Sequence, residues 1–354
     1  MHGNYRPFRL TDNGDLEVLD QRYLPFEKRI RTLKSGADVV AAISDMTVRG
    51  AGVIGNVAAF GMYLLAREFP QDFHRLERES MRIRSSRPTA VNLMWAVDRM
   101  LEKLRQSRQM VADARAEAIA ICDEDVARSE AIGVLGCDLI EHIMHNHKRK
   151  HINILTHCNA GWLAIIDNGS ALAPIYEAHR RGIDVHVWVD ETRPRNQGAS
   201  LTAWELQESG IAHTIIADNT GGHLMQHGKV DMVITGADRV TRCGDVANKI
   251  GTYLKALAAQ DNHVPFYVAL PLSTFDFQSC NGINEIDIER RSEDEIHMIR
   301  GIDRQGTLRE LRITPHHAKG ANYAFDVTPA RLITALITEA GLIDANEKAI
   351  KALQ

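Results

Sequence analysis

The sequence lacks long hydrophobic runs, and this absence excludes ordinary membrane-spanning helices. Such a helix needs roughly 20 predominantly apolar residues in a row, and the 354-residue chain contains no run of that kind. The N-terminal stretch MHGNYRPFRL also lacks the apolar centre of a secretory signal. We therefore expect a cytoplasmic protein without a membrane partner.

Cysteine is scarce, and neither sign of charge dominates. The cysteines have neither the spacing of a disulfide framework nor CxxC pairs, which is typical of a reducing compartment. The formal net charge of −4 argues against nucleic acid as a partner. A hydrophobic content of 44% excludes a disordered chain, and a length of 354 residues allows two or three domains. The cysteines are Cys122, Cys137, Cys158, Cys243 and Cys280.

The first part of the chain has mainly helical spacing. It opens with a hairpin signal, because Asn13-Gly14 lies between two short apolar runs. Ser35 is placed to cap the first helix, and further amphipathic segments follow. The last of them continues to residue 147, with a break expected at Gly133 and Gly136.

The spacing of apolar residues changes after the basic run NHKRKH at 146–151, which we interpret as a linker. Short strand-like runs now alternate with helical segments, which indicates a parallel, Rossmann-like sheet. We predict an α/β protein with a helical N-terminal domain, 1–146, bearing a small antiparallel sheet, and a Rossmann-like domain, 147–354. A final helix is expected over 329–341. The strand-like runs cover 152–155, 185–189, 213–217, 230–235 and 265–270.

The segment 230–253 places charged side chains after one predicted strand. Asp238 follows the strand's carboxyl end, where open α/β sheets bind their ligands. Asp245 stands at an N-cap position, so we expect Asn248 and Lys249 in the first turn of the next helix, a seat for phosphate. A helix cap and a solvated salt bridge explain the same residues equally well.

The segment GAGVIG at 50–55 fits GxGxxG, the dinucleotide-binding pattern. That site requires a strand before the glycines, whereas residues 37–46 have helical spacing. We expect Arg49 and the backbone of Gly50 and Ala51 to form a small anion-binding turn instead. A plain connection between two helices is the alternative.

Cys158 follows the predicted strand at 152–155 and precedes a helix expected to begin near Trp162. A helix N-terminus favours a thiolate, so Cys158 is a candidate reactive group, with a buried core residue as the alternative. His157 lacks HExxH or paired metal-ligand spacing, so we expect a structural role for it. The charged run at 190–194 also follows a predicted strand.

Several segments in order along the chain resemble the methylthioribose-1-phosphate isomerases. The resemblance implies a small N-terminal domain, a Rossmann-like C-terminal domain and a homodimer. The same fold serves ribose-1,5-bisphosphate isomerases, 5-deoxyribose-1-phosphate isomerases and the regulatory subunits of a translation initiation exchange factor. The segments are RGAGVIG at 49–55, SSRPTAVNL at 85–93, THCNAG at 156–161, DETRPRNQGASLTAWEL at 190–206, GADR at 236–239, GDVANKIGTY at 244–253, PFYVALPLSTFD at 265–276 and FDVTP at 325–329.

This resemblance assigns catalysis to Cys158 and Asp238. The chain departs from the family where Gly52 replaces a usual proline, Ala160 a usual threonine and Trp162 a usual small residue. The last two adjoin Cys158 and bear on the choice of substrate. The implied contacts to the phosphate and sugar are Arg49, Gly50, Ala51, Arg87, Gln197, Asn248 and Lys249.

The implied reaction converts 5-methylthioribose 1-phosphate to 5-methylthioribulose 1-phosphate in methionine salvage, without metal or cofactor. The phosphate blocks spontaneous ring opening, so Asp238 is expected to serve as acid and base at the ring oxygen and hydroxyls. Cys158 is expected to move a proton from C2 to C1 through an enediol, with a direct hydride shift as the alternative.

The sequence also leaves other functions open. The resemblance also allows a 5-deoxyribose 1-phosphate isomerase, an enzyme with both activities, or a ribose-1,5-bisphosphate isomerase. A non-catalytic sensor of sugar phosphates or nucleotides is a further alternative. That sensor is expected to lack the cysteine and aspartate pair, yet both Cys158 and Asp238 are present.

Overall fold

The computed structural model describes residues 6–87 and 91–354, which form two compact units. The first unit runs up to Gly133 and adds Ala160–Ala173, and the second comprises Val134–Asn159 and Pro174–Gln354. Residues 88–90, part of the quoted segment at 85–93, lie outside the described residues.

The first unit pairs a three-stranded antiparallel sheet with helices, as the sequence predicts. Gly14 adopts φ 79° in the predicted hairpin turn, and Ser35 caps the first helix through a capping box with Asp38. The elements are β1 (Phe8–Leu10), β2 (Leu16–Leu19), β3 (Ile30–Leu33), α1 (Gly36–Ser44), α2 (Ala51–Glu68), α3 (Phe73–Arg84) and α4 (Val91–Leu104), with a 3-10 turn at Gln21–Tyr23.

Helix α5 (Met110–Asn146) runs without a break for 37 residues, so the break predicted at Gly133 and Gly136 is wrong. These glycines serve close approach instead. A Cβ on Gly136 would lie 2.3 Å from Cγ of Pro174, and one on Gly133 would lie 3.2 Å from the Ala173 carbonyl oxygen. The two glycines therefore let the segment at Ala173 and Pro174 pack closely against the helix, and the helix continues through both glycines.

The second unit is built on a seven-stranded sheet that is parallel except for one edge strand. Its strands and helices are β4 (Ile152–Thr156), α6 (Ala173–Arg180), β5 (Val185–Asp190), α7 (Ala203–Glu208), β6 (Ala212–Ile216), α8 (Thr220–Gln226), β7 (Met232–Thr235), β8 (Arg239–Thr241), β9 (Val246–Lys249), α9 (Thr252–Asp261), β10 (Phe266–Ala269), β11 (Phe275–Asp276), α10 (Gly282–Glu285), α11 (Asp294–His297), β12 (Met298–Ile302), β13 (Leu308–Arg312), β14 (Phe325–Thr328), β15 (Ala335–Thr338), β16 (Gly341–Ile343) and α12 (Glu347–Lys351).

The strand order β16-β15-β10-β7-β4-β5-β6 confirms the predicted Rossmann-like sheet. The six parallel strands follow the doubly wound order, in which the chain reverses its direction of travel between β4 and β7. The smaller β-structures are a four-stranded sheet, β11-β8-β9-β14, and the hairpin β12-β13. Irregular turns are a π-helical turn at Gly198–Thr202 and 3-10 turns at Leu272–Thr274 and Ala330–Leu332.

The helix predicted over 329–341 is wrong, since a 3-10 turn and the strands β15 and β16 occupy these residues. Leu336 pairs in parallel with Val268 of β10, and it also pairs antiparallel with Ile343. Tertiary pairing on both sides therefore overrides the local helix signal at Pro329. Within residues 6–87 and 91–354, no helix is long and apolar enough to cross a membrane.

Cys243 and Cys280 form a disulfide across 37 residues of sequence, which the spacing of the cysteines did not predict. The fold brings the partners together, because Arg242 donates its backbone N–H to the Ser279 carbonyl oxygen at 2.9 Å. The other three cysteines are buried and form no disulfide. A pairing of this kind depends on the meeting of two loops and leaves no local pattern in the sequence.

Reducing this disulfide is expected to lower the melting temperature by roughly 8 °C. A loop of this length contributes about 4 kcal/mol through the entropy of the unfolded chain, and 1 kcal/mol corresponds to about 2 °C in a large domain. Calorimetry with and without a phosphine reductant measures the shift. The Cys243→Ser/Cys280→Ser double variant should melt at the lower temperature under both conditions. Equal melting of the parent in both buffers would contradict the prediction.

Candidate active site

The two residues predicted to be catalytic follow adjacent parallel strands. β4 and β7 are neighbours, with Ile154 paired to Met232, and the Thr156 hydroxyl donates to the Ile234 carbonyl oxygen at 2.8 Å. Cys158 follows β4, and Asp238 follows β7. The strand order reverses between these strands, which opens a crevice at their carboxyl ends. Both side chains therefore belong to the edge of the sheet where this fold binds ligands.

Cys158 is held by its backbone. Its N–H donates to the Thr192 hydroxyl at 2.9 Å, and its carbonyl oxygen accepts the Thr202 hydroxyl at 2.7 Å. The residue is 8% exposed and has φ 66°. The helix predicted near Trp162 is absent, because residues 161–168 form turns. A helix dipole does not act on this thiol, and the two threonines fix its position.

Asp238 lies between β7 and β8, where its side chain is exposed. Its backbone N–H donates to the Ala247 carbonyl oxygen at 3.0 Å. Because Ala247 precedes Asn248 and Lys249 in β9, this bond brings Asp238 beside the two predicted phosphate contacts. An exposed carboxylate in this position is able to exchange protons with a bound ligand.

Asn248 and Lys249 lie in a strand and not in the first turn of a helix, so that part of the prediction is wrong. β9 pairs antiparallel with β14, which places Asn248 opposite Asp326. Gly251 then turns the chain with φ 104°, and α9 begins at Thr252. The strand pairing outweighs the local N-cap signal because its partner comes from far along the sequence.

Asp245 anchors loops and does not cap a helix. Its carboxylate accepts the backbone N–H groups of Gly282 at 2.9 Å and Ala330 at 3.0 Å. The cap of α9 comes from Asp326, which accepts the N–H groups of Gly251 at 2.7 Å and Tyr253 at 3.1 Å. Burial raises the pKa of Asp326. A carboxylate from β14 thus takes the role that the sequence assigned to Asp245.

Lys249 extends along β14. Its Nζ donates to the Ala324 carbonyl oxygen at 3.0 Å and lies 4.6 Å from the centroid of the Phe325 ring. Asn248 is 4% exposed and donates through Nδ2 to the Thr252 hydroxyl at 3.0 Å. Both side chains are ordered by protein contacts, and the ammonium of Lys249 supplies a positive charge at the end of β9.

Gln197 offers a buried oxygen. The residue is 5% exposed, and its Oε1 has no hydrogen-bond partner among residues 6–87 and 91–354. Leaving such an acceptor unsatisfied costs about 1–3 kcal/mol. Gln197 precedes the π-helical turn at Gly198–Thr202, and Thr202 of that turn bonds to the backbone of Cys158. The Gln197 oxygen is therefore suited to accept a hydrogen bond from a hydroxyl group of a ligand.

A buried charged network supports the same strand ends. His157, Asp190 and Asp218 each present a ligand atom within 4.8 Å of the others, as a metal site would. However, Lys255 Nζ lies 3.2 Å from Asp190 Oδ2 and donates to the carbonyl oxygen of Asp218. The ring nitrogens of His157 lie 2.9 Å from Asp190 Oδ2 and 2.8 Å from the Ile250 carbonyl oxygen. The Lys255 ammonium therefore supplies the positive charge that a metal ion would bring to these residues. His157 links β4 to the turn after β9.

The predicted contacts Arg49, Gly50, Ala51 and Arg87 belong to the first unit. Gly50 has φ 85° at the N-terminus of α2, and a Cβ there would lie 2.4 Å from Cα of Ala164, so only glycine fits. Arg49 is 8% exposed and Arg87 is half-buried. α1 and not a strand precedes these glycines, so GxGxxG is not a dinucleotide fingerprint here. The first turn of α2 suits an anion.

Sequence reasoning missed several supporting residues. Asp218 follows the carboxyl end of β6, and the strand-end argument used for Asp238 could have identified it. Thr192 and Thr202 lie inside the quoted segment at 190–206 but carry no motif of their own. Lys255, 4% exposed within α9, gives no local signal at all. Its role depends on two acidic residues contributed by other strands.

Comparisons with known proteins identify the family of the chain. The model of the Initiation factor 2 subunit family matches residues 47–345. The methylthioribose-1-phosphate isomerase of Sulfurimonas denitrificans is 62% identical over 354 residues, covering 99% of each chain.

Two solved structures share the whole fold. The 5-methylthioribose 1-phosphate isomerase of Pyrococcus horikoshii OT3 superposes with a TM-score of 0.84 at 35% identity, covering 98% of this chain and 95% of that one. The translation initiation factor eIF-2B, subunit delta, from A. fulgidus has a TM-score of 0.81 at 36% identity, covering 98% and 100%. The predicted resemblance is confirmed: the chain belongs to the Initiation factor 2 subunit family and, within it, to the methylthioribose-1-phosphate isomerases.

Proposed function

We propose that the protein is an aldose–ketose isomerase that converts 5-methylthioribose 1-phosphate to 5-methylthioribulose 1-phosphate. The observation that carries this proposal is the placement of Cys158 and Asp238 after the two strands that flank the reversal of strand order. The relatives named as isomerases at high identity support the same activity. A sensor without turnover has no use for a paired thiol and carboxylate at this position.

The proposed chemistry moves two protons and leaves every group as it began. Asp238 donates a proton to the ring oxygen as the bond from C1 to that oxygen breaks. Cys158, as thiolate, removes the proton from C2 and returns one to C1 of the resulting enol phosphate. Asp238 then accepts the proton of the C2 hydroxyl as the ketone forms. Each positioned proton transfer contributes roughly 10²–10⁴-fold to the rate.

Binding groups of the second unit fit the polar parts of such a substrate. The ammonium of Lys249 suits the phosphate as a point charge. The unsatisfied Oε1 of Gln197 suits a sugar hydroxyl, and Asn248 lies beside Lys249 on β9. In the first unit, Arg49, Gly50 and Arg87 are proposed as further contacts, as is Ala51. These roles rest on the resemblance and on the anion-binding properties of a helix N-terminus.

The activity is expected to be observed directly by phosphorus NMR. Purified protein in EDTA should convert 5-methylthioribose 1-phosphate to the ketose phosphate, because the proposed steps use only protein groups. Running the reaction in D₂O tests the enediol route: deuterium at C1 identifies it, because the thiol can exchange its proton with solvent before it protonates C1, whereas a hydride shift carries the C2 hydrogen directly to C1. An inactive protein, or one that loses activity in EDTA, would count against the proposal.

The 5-substituent is tested by comparing two sugars. The 5-deoxy sugar phosphate differs only in lacking the apolar methylthio group, and a hydrophobic pocket discriminates one methylene by about 10–200-fold. We expect kcat/KM to favour the methylthio sugar, with measurable turnover of the deoxy sugar. A preference for the deoxy sugar above about 200-fold would overturn the methylthio assignment and support the alternative isomerase.

We also propose a cytoplasmic homodimer with a small-molecule substrate. The family resemblance supports the dimer, and light scattering of the purified protein measures it. The Cys243–Cys280 disulfide is unusual for a cytoplasmic protein, because such bonds are rare in reducing compartments. Cell fractionation combined with thiol trapping of this pair decides the matter.

A further inference from the structure

Two residues with a left-handed backbone conformation lie side by side at the candidate site. Cys158 has φ 66° and Thr192 has φ 63°, both in the left-handed region. They follow adjacent parallel strands, since β4 and β5 pair with Thr156 opposite Val189. This conformation costs of order 1–3 kcal/mol for such residues, and a β-branched threonine is a genuine outlier there. The surrounding contacts must hold both residues in place.

The Thr192 hydroxyl joins the two strands. It accepts the backbone N–H of Cys158 at 2.9 Å and donates its proton to the Asp190 carbonyl oxygen at 3.0 Å. Asp190 ends β5, so the hydroxyl fixes Cys158 relative to the sheet. At residue 192 a hydroxyl group is needed to accept the hydrogen bond from Cys158 and to donate the one to Asp190. Valine has the same shape but can do neither.

Thr192 is itself anchored. Its backbone N–H donates to Asp218 Oδ1 at 2.7 Å, and the N–H of Arg193 donates to Oδ2 at 2.8 Å. The backbone carbonyl oxygen of Asp218 accepts a hydrogen bond from the Lys255 ammonium, which also lies 3.2 Å from Asp190 Oδ2. A buried charge network therefore holds Thr192 in its left-handed conformation.

A second threonine holds the other side of Cys158. The Thr202 hydroxyl donates to the Cys158 carbonyl oxygen at 2.7 Å. Asn159 Nδ2 donates to Thr202 Oγ1 at 3.2 Å and to Glu205 Oε1 at 2.8 Å. Glu205 is fully buried and also accepts the Tyr176 hydroxyl at 2.7 Å. Both backbone polar groups of Cys158 are thus bonded to threonine hydroxyls with buried support.

We infer that Thr192 and Thr202 are positioning residues that clamp Cys158 in the left-handed conformation and thereby aim its thiol at the reacting carbon. The inference rests on the isomerase function proposed above. Rotation about φ swings the whole side chain, and a misplacement of about 1 Å can cost 10²-fold in rate. Substrate binding depends on other residues, so loss of the clamp should lower kcat and leave KM nearly unchanged.

The kinetic test compares Thr192→Val with Thr192→Ser. T192V keeps the shape but loses both hydroxyl bonds, so kcat is expected to fall about 10–100-fold with KM within twofold. T192S keeps the hydroxyl and should restore kcat to within about threefold of the parent. Thr214→Val is the matched control, because Thr214 is exposed on β6 and bonds only to His186 among the contacts described. Parental kcat in T192V would overturn the clamp.

A second test needs no enzymatic activity. Glycine normally lowers stability relative to alanine, but it is favoured at positive φ. C158G should therefore melt roughly 1–4 °C above C158A. In the T192V background, alanine can relax to an ordinary φ, so the difference should shrink or reverse. An unchanged difference in that background would overturn the clamp even if the protein proved not to be an isomerase.

The two tests separate the possible failures. If neither the parent nor any variant turns over the substrate, the proposed function is wrong. The melting comparison of C158G with C158A then still tests whether Thr192 and Thr202 hold Cys158. If the parent is active and T192V matches it, only the clamp fails. Should T192V not fold, T202V replaces it, since its lost hydroxyl removes the bond to the Cys158 carbonyl and should give the same loss of kcat. Parental kcat in T202V would then overturn the clamp.

Discussion

Replacing Cys158 with serine is expected to lower kcat by at least about 100-fold while KM changes by less than about threefold. Serine has nearly the same size, and the bonds from Thr192 and Thr202 reach only the backbone of residue 158, so they are retained. A serine hydroxyl is a far weaker acid than a thiol, however, and does not supply the anion that removes the C2 proton. The loss of one proton-transfer group accounts for about 10²–10⁴-fold. Steady-state kinetics measure both constants.

Cys137→Ser is the matched control for this substitution. Cys137 is fully buried in α5, and burial raises the pKa of its thiol to about 11. A thiol of that acidity has no part in the proposed chemistry, so the variant should keep parental turnover once its melting temperature is checked. Near-parental kcat in C158S, with a normal melting curve, would remove Cys158 from the mechanism.

The sheet of the second unit was predictable because its strands carry a local signal. Each run of β-branched and apolar residues has no helical spacing and ends at turn residues. The prediction for residues 185–189, for example, corresponds to β5 at Val185–Asp190. Alternation of strands with helices then fixes parallel pairing and a right-handed winding. The crevice at the reversal of strand order follows from that topology.

The pairing of β9 with β14 was not predictable. Asp326 lies opposite Asn248 although the two are far apart in sequence, and the local residues around Asp245 fit a helix N-terminus equally well. Strand β14 supplies both the neighbouring backbone and the carboxylate that caps α9. The sequence thus identified Asn248 and Lys249 as candidates but assigned them to the wrong element.

The surroundings of Cys158 show the same limit. The strand before it was predicted, but the helix after it was not formed, so the expected dipole is absent. The groups that hold the residue come from Thr192 and Thr202, which meet it only after β4 and β5 pair. Positive φ at a cysteine has no signature in the sequence. Candidate reactive residues could therefore be named, whereas the contacts that position them required the fold.

Replacing Asp238 with asparagine is expected to lower kcat by at least about 100-fold, again with little change in KM. Asparagine keeps the shape and still accepts and donates hydrogen bonds, but it cannot take up or release a proton. The backbone bond from residue 238 to Ala247 is unaffected, so the loop should keep its place. In the proposed sequence the ring oxygen then gains no proton and the C2 hydroxyl loses none. Both halves of the isomerisation should slow together.

The control for this variant is Asp261→Asn, which removes another exposed carboxylate, at the end of α9. It changes the net charge by the same amount, so it reports any general electrostatic effect on the binding of a phosphorylated substrate. We expect D261N to match the parent in kcat and KM. If D238N matched D261N, the proton donor to the ring oxygen would have to be another group. A large rise in KM in D238N alone would instead make Asp238 a binding residue, because only a loss confined to kcat identifies a group that acts in the transition state.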